Sequence, residues 1–203
     1  MAIFNIKKKE IECKIVYYGP GRSGKTTNME YIYKNYKKQV VGDMVSVDTE
    51  GDRTLFFDFL PMGLGQIKGF DIKVQVYTVP GQVQYSSTRK LVLKGVDGVI
   101  FVADSLAVRR EKNILSLKDL QHNLKEYGIN ILKIPLVMQH NKRDLAEQGL
   151  PVMSIEQMER DLNRQLKVPS FSASAIAGNG VGVTLKECLK LTLLSFKKQF
   201  KSG

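Results

Sequence analysis

Thiol chemistry has little to work with in this sequence. Cys13 and Cys188 are its two cysteines among 203 residues, with no C-x-x-C and no histidine pair beside either. Such isolation argues against a disulfide framework, a zinc site or redox catalysis, and leaves both as core residues in a reduced compartment. Acidic residues are also few, 20 against 31 Lys and Arg, for a formal net charge of +11. An excess of that size points to nucleic acid, anionic lipid or an acidic protein as partner. The charges are scattered, however, with small clusters at Lys7–Lys9, Lys37–Lys38 and Lys197–Lys198, and no nucleic-acid module is visible. A lysine-rich solvated surface is the plainer reading, and nucleic acid the weaker one.

Long hydrophobic runs are missing as well. No apolar stretch approaches membrane-spanning length, and the start M-A-I-F-N-I-K-K-K has neither a secretory apolar region nor the M-G of a myristoylation signal. No cysteine box ends the chain. The expectation is a cytoplasmic protein without transmembrane segment or lipid anchor, reaching the cell poles or the inner membrane surface only through partners or basic patches.

What is present reads as one α/β domain over 1–203, with a basic extension at 1–9 and a short tail at 201–203; the length suits one compact core. Apolar runs alternate with amphipathic ones, the pattern of a doubly wound sheet. Strands are expected at 11–19, 55–60, 70–79, 98–104, 135–140 and 170–173, and helices at 24–37, 109–127, 154–167 and 182–200. The polar stretch 38–54 has no clear period and reads as loop. The Gly-rich connection 61–69 reads as the loop of an antiparallel edge hairpin, and 83–94 as a mixed, mobile segment. The fold class is thus a P-loop NTPase domain with a mostly parallel six- to seven-stranded sheet, one antiparallel edge hairpin and helices on both faces.

Between the first strand and first helix lies G-P-G-R-S-G-K-T-T, with Gly19, Gly24, Lys25 and Thr26 in the spacing G-x-x-x-x-G-K-[ST]. Glycines let backbone N–H groups approach phosphates where a Cβ would block them, and the helix that follows adds its positive end. The candidate phosphate cradle is Gly19, Gly21, Arg22, Ser23, Gly24, Lys25, Thr26 and Thr27. Lys25 is placed to reach the β/γ-phosphates, and the Thr26 hydroxyl to reach Mg²⁺. Farther on, N-K-R-D at the end of a buried strand supplies Asn141, Lys142 and Asp144. The Asp144 carboxylate offers two acceptors to the N1–H and exocyclic amine of guanine, an edge on which adenine presents the opposite pattern. Ser174 and Ala175 follow the next strand and are placed to give a backbone N–H to the guanine carbonyl.

Over essentially its full length the chain resembles the Ras-like small GTPases. Within them it is most similar to the bacterial MglA group of cell-polarity and gliding-motility GTPases, through G-P-G-R-S-G-K-T-T at 19–27, D-R-T-L-F-F-D-F-L-P at 52–61, T-V-P-G-Q-V-Q-Y at 78–85 and the block 89–105. The resemblance implies a GTP/GDP switch with Mg²⁺ as cofactor. It implies Thr54 as a switch threonine that contacts Mg²⁺ and the γ-phosphate, Gly81 as a γ-phosphate sensor and Gln82 as the residue that orients the attacking water. Lys142 would pack over the phosphate loop as well as flank the base. It further implies Arg53 as an intrinsic arginine finger that neutralises transition-state charge, a role worth roughly 10³–10⁵ in rate. Its implied partners are an MglB-like Roadblock-type activator, effectors that read the GTP state, cytoskeletal proteins and an exchange factor.

One departure stands out. Most relatives have D-x-x-G where this chain has Thr78-Val79-Pro80-Gly81, so the usual carboxylate is missing. Asp58, on the neighbouring strand, is the candidate to replace it through a water. The missing aspartate also gives weight to a second reading, a GTP-binding scaffold that does not hydrolyse, and the net charge to a third, a nucleic-acid-associated GTPase.

Overall fold

A computed structural model describes residues 3–5, 8–47, 57–81 and 86–199. The strands are β1 (Ile3–Asn5), β2 (Glu10–Tyr18), β3 (Val45–Val47), β4 (Phe57–Ile67), β5 (Phe70–Thr78), β6 (Gly98–Asp104), β7 (Leu136–Asn141) and β8 (Ser170–Ser172). The helices are α1 (Lys25–Asn35), α2 (Ser86–Leu93), α3 (Arg110–Glu126), α4 (Ile155–Met158) and α5 (Val181–Gln199). All strands join one sheet in the order β3-β4-β5-β2-β6-β7-β8, with β1 beside β2. The β5-β2-β6-β7-β8 portion is parallel, whereas β3-β4, β4-β5 and β1-β2 are antiparallel.

Burial explains the parallel centre. Along β2, Ile15 and Tyr17 face the helices α1 and α5, packing with Met29, Ile32, Leu185 and Leu189. Val16 and Tyr18 face the opposite layer, with Leu93, Leu120, Leu124 and Met158. All seven residues of β6 are buried, as a strand covered on both faces must be. At its start, a Cβ on Gly98 would lie 2.4 Å from Thr192 Oγ1, so the glycine lets α5 lie close against the sheet. Cys13 and Cys188 are both buried free thiols in the α1/α5 layer. Burial, followed by the charge of Asp97, pushes the Cys13 thiol up to about 12.

The elements differ from the sequence expectation in five places. The stretch 38–54, read as loop, contains β3, which adds a third strand beside the expected antiparallel edge hairpin. The connection 61–69, read as a long loop, is mostly strand: β4 runs to Ile67, and only Lys68 and Gly69, both at positive φ, make the turn. A bulge between Gly63 and Gln66 absorbs the extra glycines. The segment 83–94 contains the helix α2, and the basic extension contains β1. The expected helix 154–167 begins as foreseen, with Ser154 Oγ accepting the Gln157 N–H at 3.1 Å, but passes into a π-turn at Glu159–Asn163. No helix among the described residues is long and apolar enough to cross a membrane.

Candidate functional site

Side chains take up the carbonyl oxygens of the loop after β2. Lys25 Nζ donates to Gly19 O at 3.0 Å and Pro20 O at 2.7 Å. Arg109 Nη2 donates to Gly21 O, Asn141 Nδ2 to Ser23 O at 2.7 Å, and Asn28 Nδ2 to Gly24 O at 2.8 Å. In a trans peptide the next N–H points away from the C=O, so where Arg109 and Asn141 draw the Gly21 and Ser23 carbonyls to themselves the following amides face away from those side chains. Arg22 itself sits at φ 64, a left-handed conformation uncommon for a residue with a Cβ, and is exposed. Helix α1 begins at Gly24 with no side-chain cap, which leaves first-turn N–H groups for an anion. Burial, then the charge of Arg89, pulls the Lys25 ammonium down to about 7, against the opposing pull of Asp58. A buried cation in that position is stabilised by a bound polyanion.

Beside the loop is a hydroxyl and carboxylate corner. Asp58 Oδ2 accepts hydrogen bonds from Thr26 Oγ1 and from Thr78 Oγ1, each at 2.7 Å, and Asp58 Oδ1 accepts from Ser46 Oγ at 2.8 Å. Because Thr26 gives its hydrogen to the carboxylate, its oxygen lone pairs are directed elsewhere and can meet a cation. One hydroxyl and one nearby carboxylate suit Mg²⁺ that shares its remaining positions with phosphate and water. Among the described residues no group of three or more His, Cys, Asp or Glu forms a metal cage.

The base-side corner is organised by Asn141 at the end of β7. Its Oδ1 accepts the Ala175 N–H at 2.8 Å while its Nδ2 holds Ser23 O, so one side chain joins three loops. The fit is close: a Cβ on Gly24 would lie 2.2 Å from Asn141 Nδ2. Asp144 Oδ1 is buried and has no hydrogen-bond partner among the described residues. An orphaned acceptor there fits a ligand that brings donors, as the guanine edge does.

Three of the expected contact groups have protein partners in this corner. The Ser174 N–H donates to Asn179 O at 3.0 Å and the Ala175 N–H to Asn141 Oδ1 at 2.8 Å. The Lys142 amine donates to Asp104 Oδ2 at 2.8 Å, and Arg109 donates to the phosphate loop at Gly21 O. Sequence reasoning passed over Arg109. Its only signal was two adjacent arginines at the start of a helix, an end where positive charge is disfavoured.

Gly81, at the end of the segment after β5, lies against the phosphate loop, where a Cβ would approach Gly21 N to 2.2 Å. Arg53, Thr54 and Gln82 lie outside the described residues, as do 1–2, 6–7 and the tail 201–203.

A phosphate loop, a hydroxyl and carboxylate corner, and a base corner at the carboxyl ends of parallel strands together define a P-loop small GTPase. The chain belongs to the ADP-ribosylation factor family, which it matches over residues 1–191. It is similar to the mutual gliding-motility protein MglA of Myxococcus xanthus (strain DK1622), with 51% identity over 198 residues, covering 98% of this chain and 99% of that protein.

Proposed function

We propose that this GTPase acts as a molecular switch in cell polarity or gliding motility, in the cytoplasm, with Mg²⁺ as its metal. The observation that carries the guanine-specific part is the unpartnered Asp144 Oδ1 next to the three-loop tie made by Asn141. In this reading Asp144 accepts from the guanine N1–H and amine, and Asn141 holds the base loop against the phosphate loop. Lys25 neutralises the β/γ-phosphates. Thr26, with Asp58 through a water and Thr54 in the GTP state, holds Mg²⁺, which supplies charge neutralisation of the phosphates. Gln82 orients the attacking water, Arg53 reaches the γ-phosphate in cis, and Gly81 reports its presence through a backbone N–H.

The 51% identity to a gliding-motility protein supports the cellular assignment. It also supports a Roadblock-type, MglB-like activator, together with effectors and an exchange factor. The scaffold reading loses its main argument, because the carboxylate absent at Thr78 is present at Asp58. The test is binding of GTP against ATP, followed by single-turnover hydrolysis with and without a Roadblock activator. GTP-selective binding with slow turnover that the activator accelerates is expected. Equal ATP and GTP affinity, or no hydrolysis under either condition, would overturn the proposal.

A further inference from the structure

Arg109 stands where electrostatics disfavours it. It is the N-cap residue of α3, a helix of 17 residues, so its guanidinium lies at the positive end of a macrodipole. It is also close enough to Lys25 to help lower that lysine's pKa. A cation in such a place needs compensation, and two contacts supply it. Nη2 donates to the Gly21 carbonyl, and Nε lies 3.6 Å from Asp104 Oδ2, an ion pair that leaves Nε buried without a hydrogen bond.

Asp104 cannot satisfy Arg109 alone. Its carboxylate is fully buried and already accepts Lys142 Nζ at 2.8 Å and the Leu106 N–H at 3.1 Å. Its backbone is fixed by Asn113, which accepts the Asp104 N–H at 2.9 Å and donates to Asp104 O at 2.8 Å. One immobile carboxylate therefore serves two cations, Lys142 from the base loop and Arg109 from the head of α3. The surplus positive charge faces the phosphate loop.

The Gly21 contact has a directional consequence. With the Gly21 C=O drawn outward to Arg109, planarity of the peptide turns the Arg22 N–H inward. That orientation coincides with the left-handed φ of 64 at Arg22, a conformation that a Cβ-bearing residue holds only when neighbours enforce it. Gly81 also lies against Gly21, where a Cβ would approach Gly21 N to 2.2 Å, so a second neighbour restricts this residue.

We propose that Arg109 is a positioning residue for phosphate recognition. It holds the Gly21–Arg22 peptide with its N–H toward the terminal phosphates, and through Asp104 and Lys142 it ties that peptide to the base loop. The inference rests on the guanine-nucleotide reading of the site. Because the amide it orients serves phosphates beyond the first, loss of Arg109 affects nucleotides according to their phosphate number.

The test compares affinities for GMP, GDP and a non-hydrolysable GTP analogue, by competition with fluorescent GDP, in the wild type, Arg109→Ala and Arg109→Lys. For Arg109→Ala, GDP and analogue affinities fall about tenfold or more, the scale of one charge-assisted hydrogen bond, while GMP stays within about twofold. Arg109→Lys recovers part of the loss, since an ammonium still donates to Gly21 O. Should Arg109→Ala fail to fold, Arg109→Met keeps the apolar stem without the donor and carries the same expectation. Unchanged GDP affinity, or a loss shared equally by GMP, in whichever of these two variants folds would overturn the inference. A wild-type protein that bound none of the three nucleotides would instead sink the guanine-nucleotide reading itself.

Discussion

Thr78 gives its hydroxyl hydrogen to Asp58 Oδ2 at 2.7 Å and takes the Asp58 N–H at 3.0 Å, so the two residues fix each other's orientation across the β4-β5 pair. The threonine stands where the resemblance to Ras-like GTPases leads one to expect an aspartate. Its partner puts a carboxylate against Thr26 from the adjacent strand, and the threonine hydroxyl aims that carboxylate. The corner thus has its carboxylate from β4 rather than from β5.

Asp58→Asn keeps the shape of the corner and removes its charge. Magnesium should then be needed at roughly 10–100-fold higher concentration to slow nucleotide release, the usual cost of losing a group that supports a metal from the outer shell. GDP release measured against Mg²⁺ concentration checks this. A release curve that matches the wild type would show that the carboxylate serves only its three hydroxyl partners.

Gly81→Ala tests how tightly the segment after β5 is held to the phosphate loop. The new Cβ would lie 2.2 Å from Gly21 N and 2.3 Å from Gly21 Cα, backbone atoms that cannot swing aside. Overpacking of this kind costs roughly 1–3 kcal/mol, which lowers the melting temperature of a chain this long by roughly 2–12 °C. A melt of the GDP-bound protein reads it directly, and an unchanged midpoint would mean that the two segments separate freely.

The parallel centre was legible in the sequence because burial on both faces writes continuous apolar runs. The 98–104 run became β6 without adjustment, and the phosphate and base motifs fell at strand ends as expected. The antiparallel edge was less legible. Gly63, Gly65 and Gly69 look alike in a sequence, yet two border or occupy a bulge and one makes a turn, and strand pairing with β5 decides which. In the site, residue types were readable but hydrogen-bond partners were not. Lys142 and Arg109 are cations of similar reach, and both pair with Asp104, yet only Arg109 also donates to Gly21 O.

Asn141 and Asp144 should separate when substituted, although they share a motif. Asn141→Ala leaves Ser23 O and the Ala175 N–H without their partner, a cost of roughly 1–3 kcal/mol for each buried group. It should therefore lower thermal stability and speed nucleotide release together. Asp144→Asn exchanges an acceptor for a donor at a buried, unpartnered atom, which should leave the melting temperature near its starting value and shift preference from guanine to xanthine nucleotides. Parallel melts and competition binding check both. Equal destabilisation by the two variants would assign Asp144 a structural role instead.

His140, just before the base loop, sets a pH limit on stability. It is buried, with Nε2 2.6 Å from Glu159 Oε1 and with Nδ1 lacking any partner among the described residues. Burial holds its pKa below the ordinary histidine value, and Arg143 adds to this, against the opposing pull of Glu159. The ring is thus neutral in the native state under conditions where the unfolded chain, with a pKa of about 6.5, takes up a proton. Unfolding then binds more protons, so stability is complete above the unfolded pKa and falls as pH drops through it, by at most about 1.4 kcal/mol per pH unit. Glu159, whose pKa is lowered, titrates below this window and leaves it to the histidine. His140→Gln retains a donor for Glu159 without a titrating ring. Melts in excess GDP between pH 5.5 and 7.5, a window of about one unit on either side of the histidine value, should show a smaller loss on acidification for the variant than for the wild type. Parallel pH profiles would mean that His140 carries its proton in the folded protein.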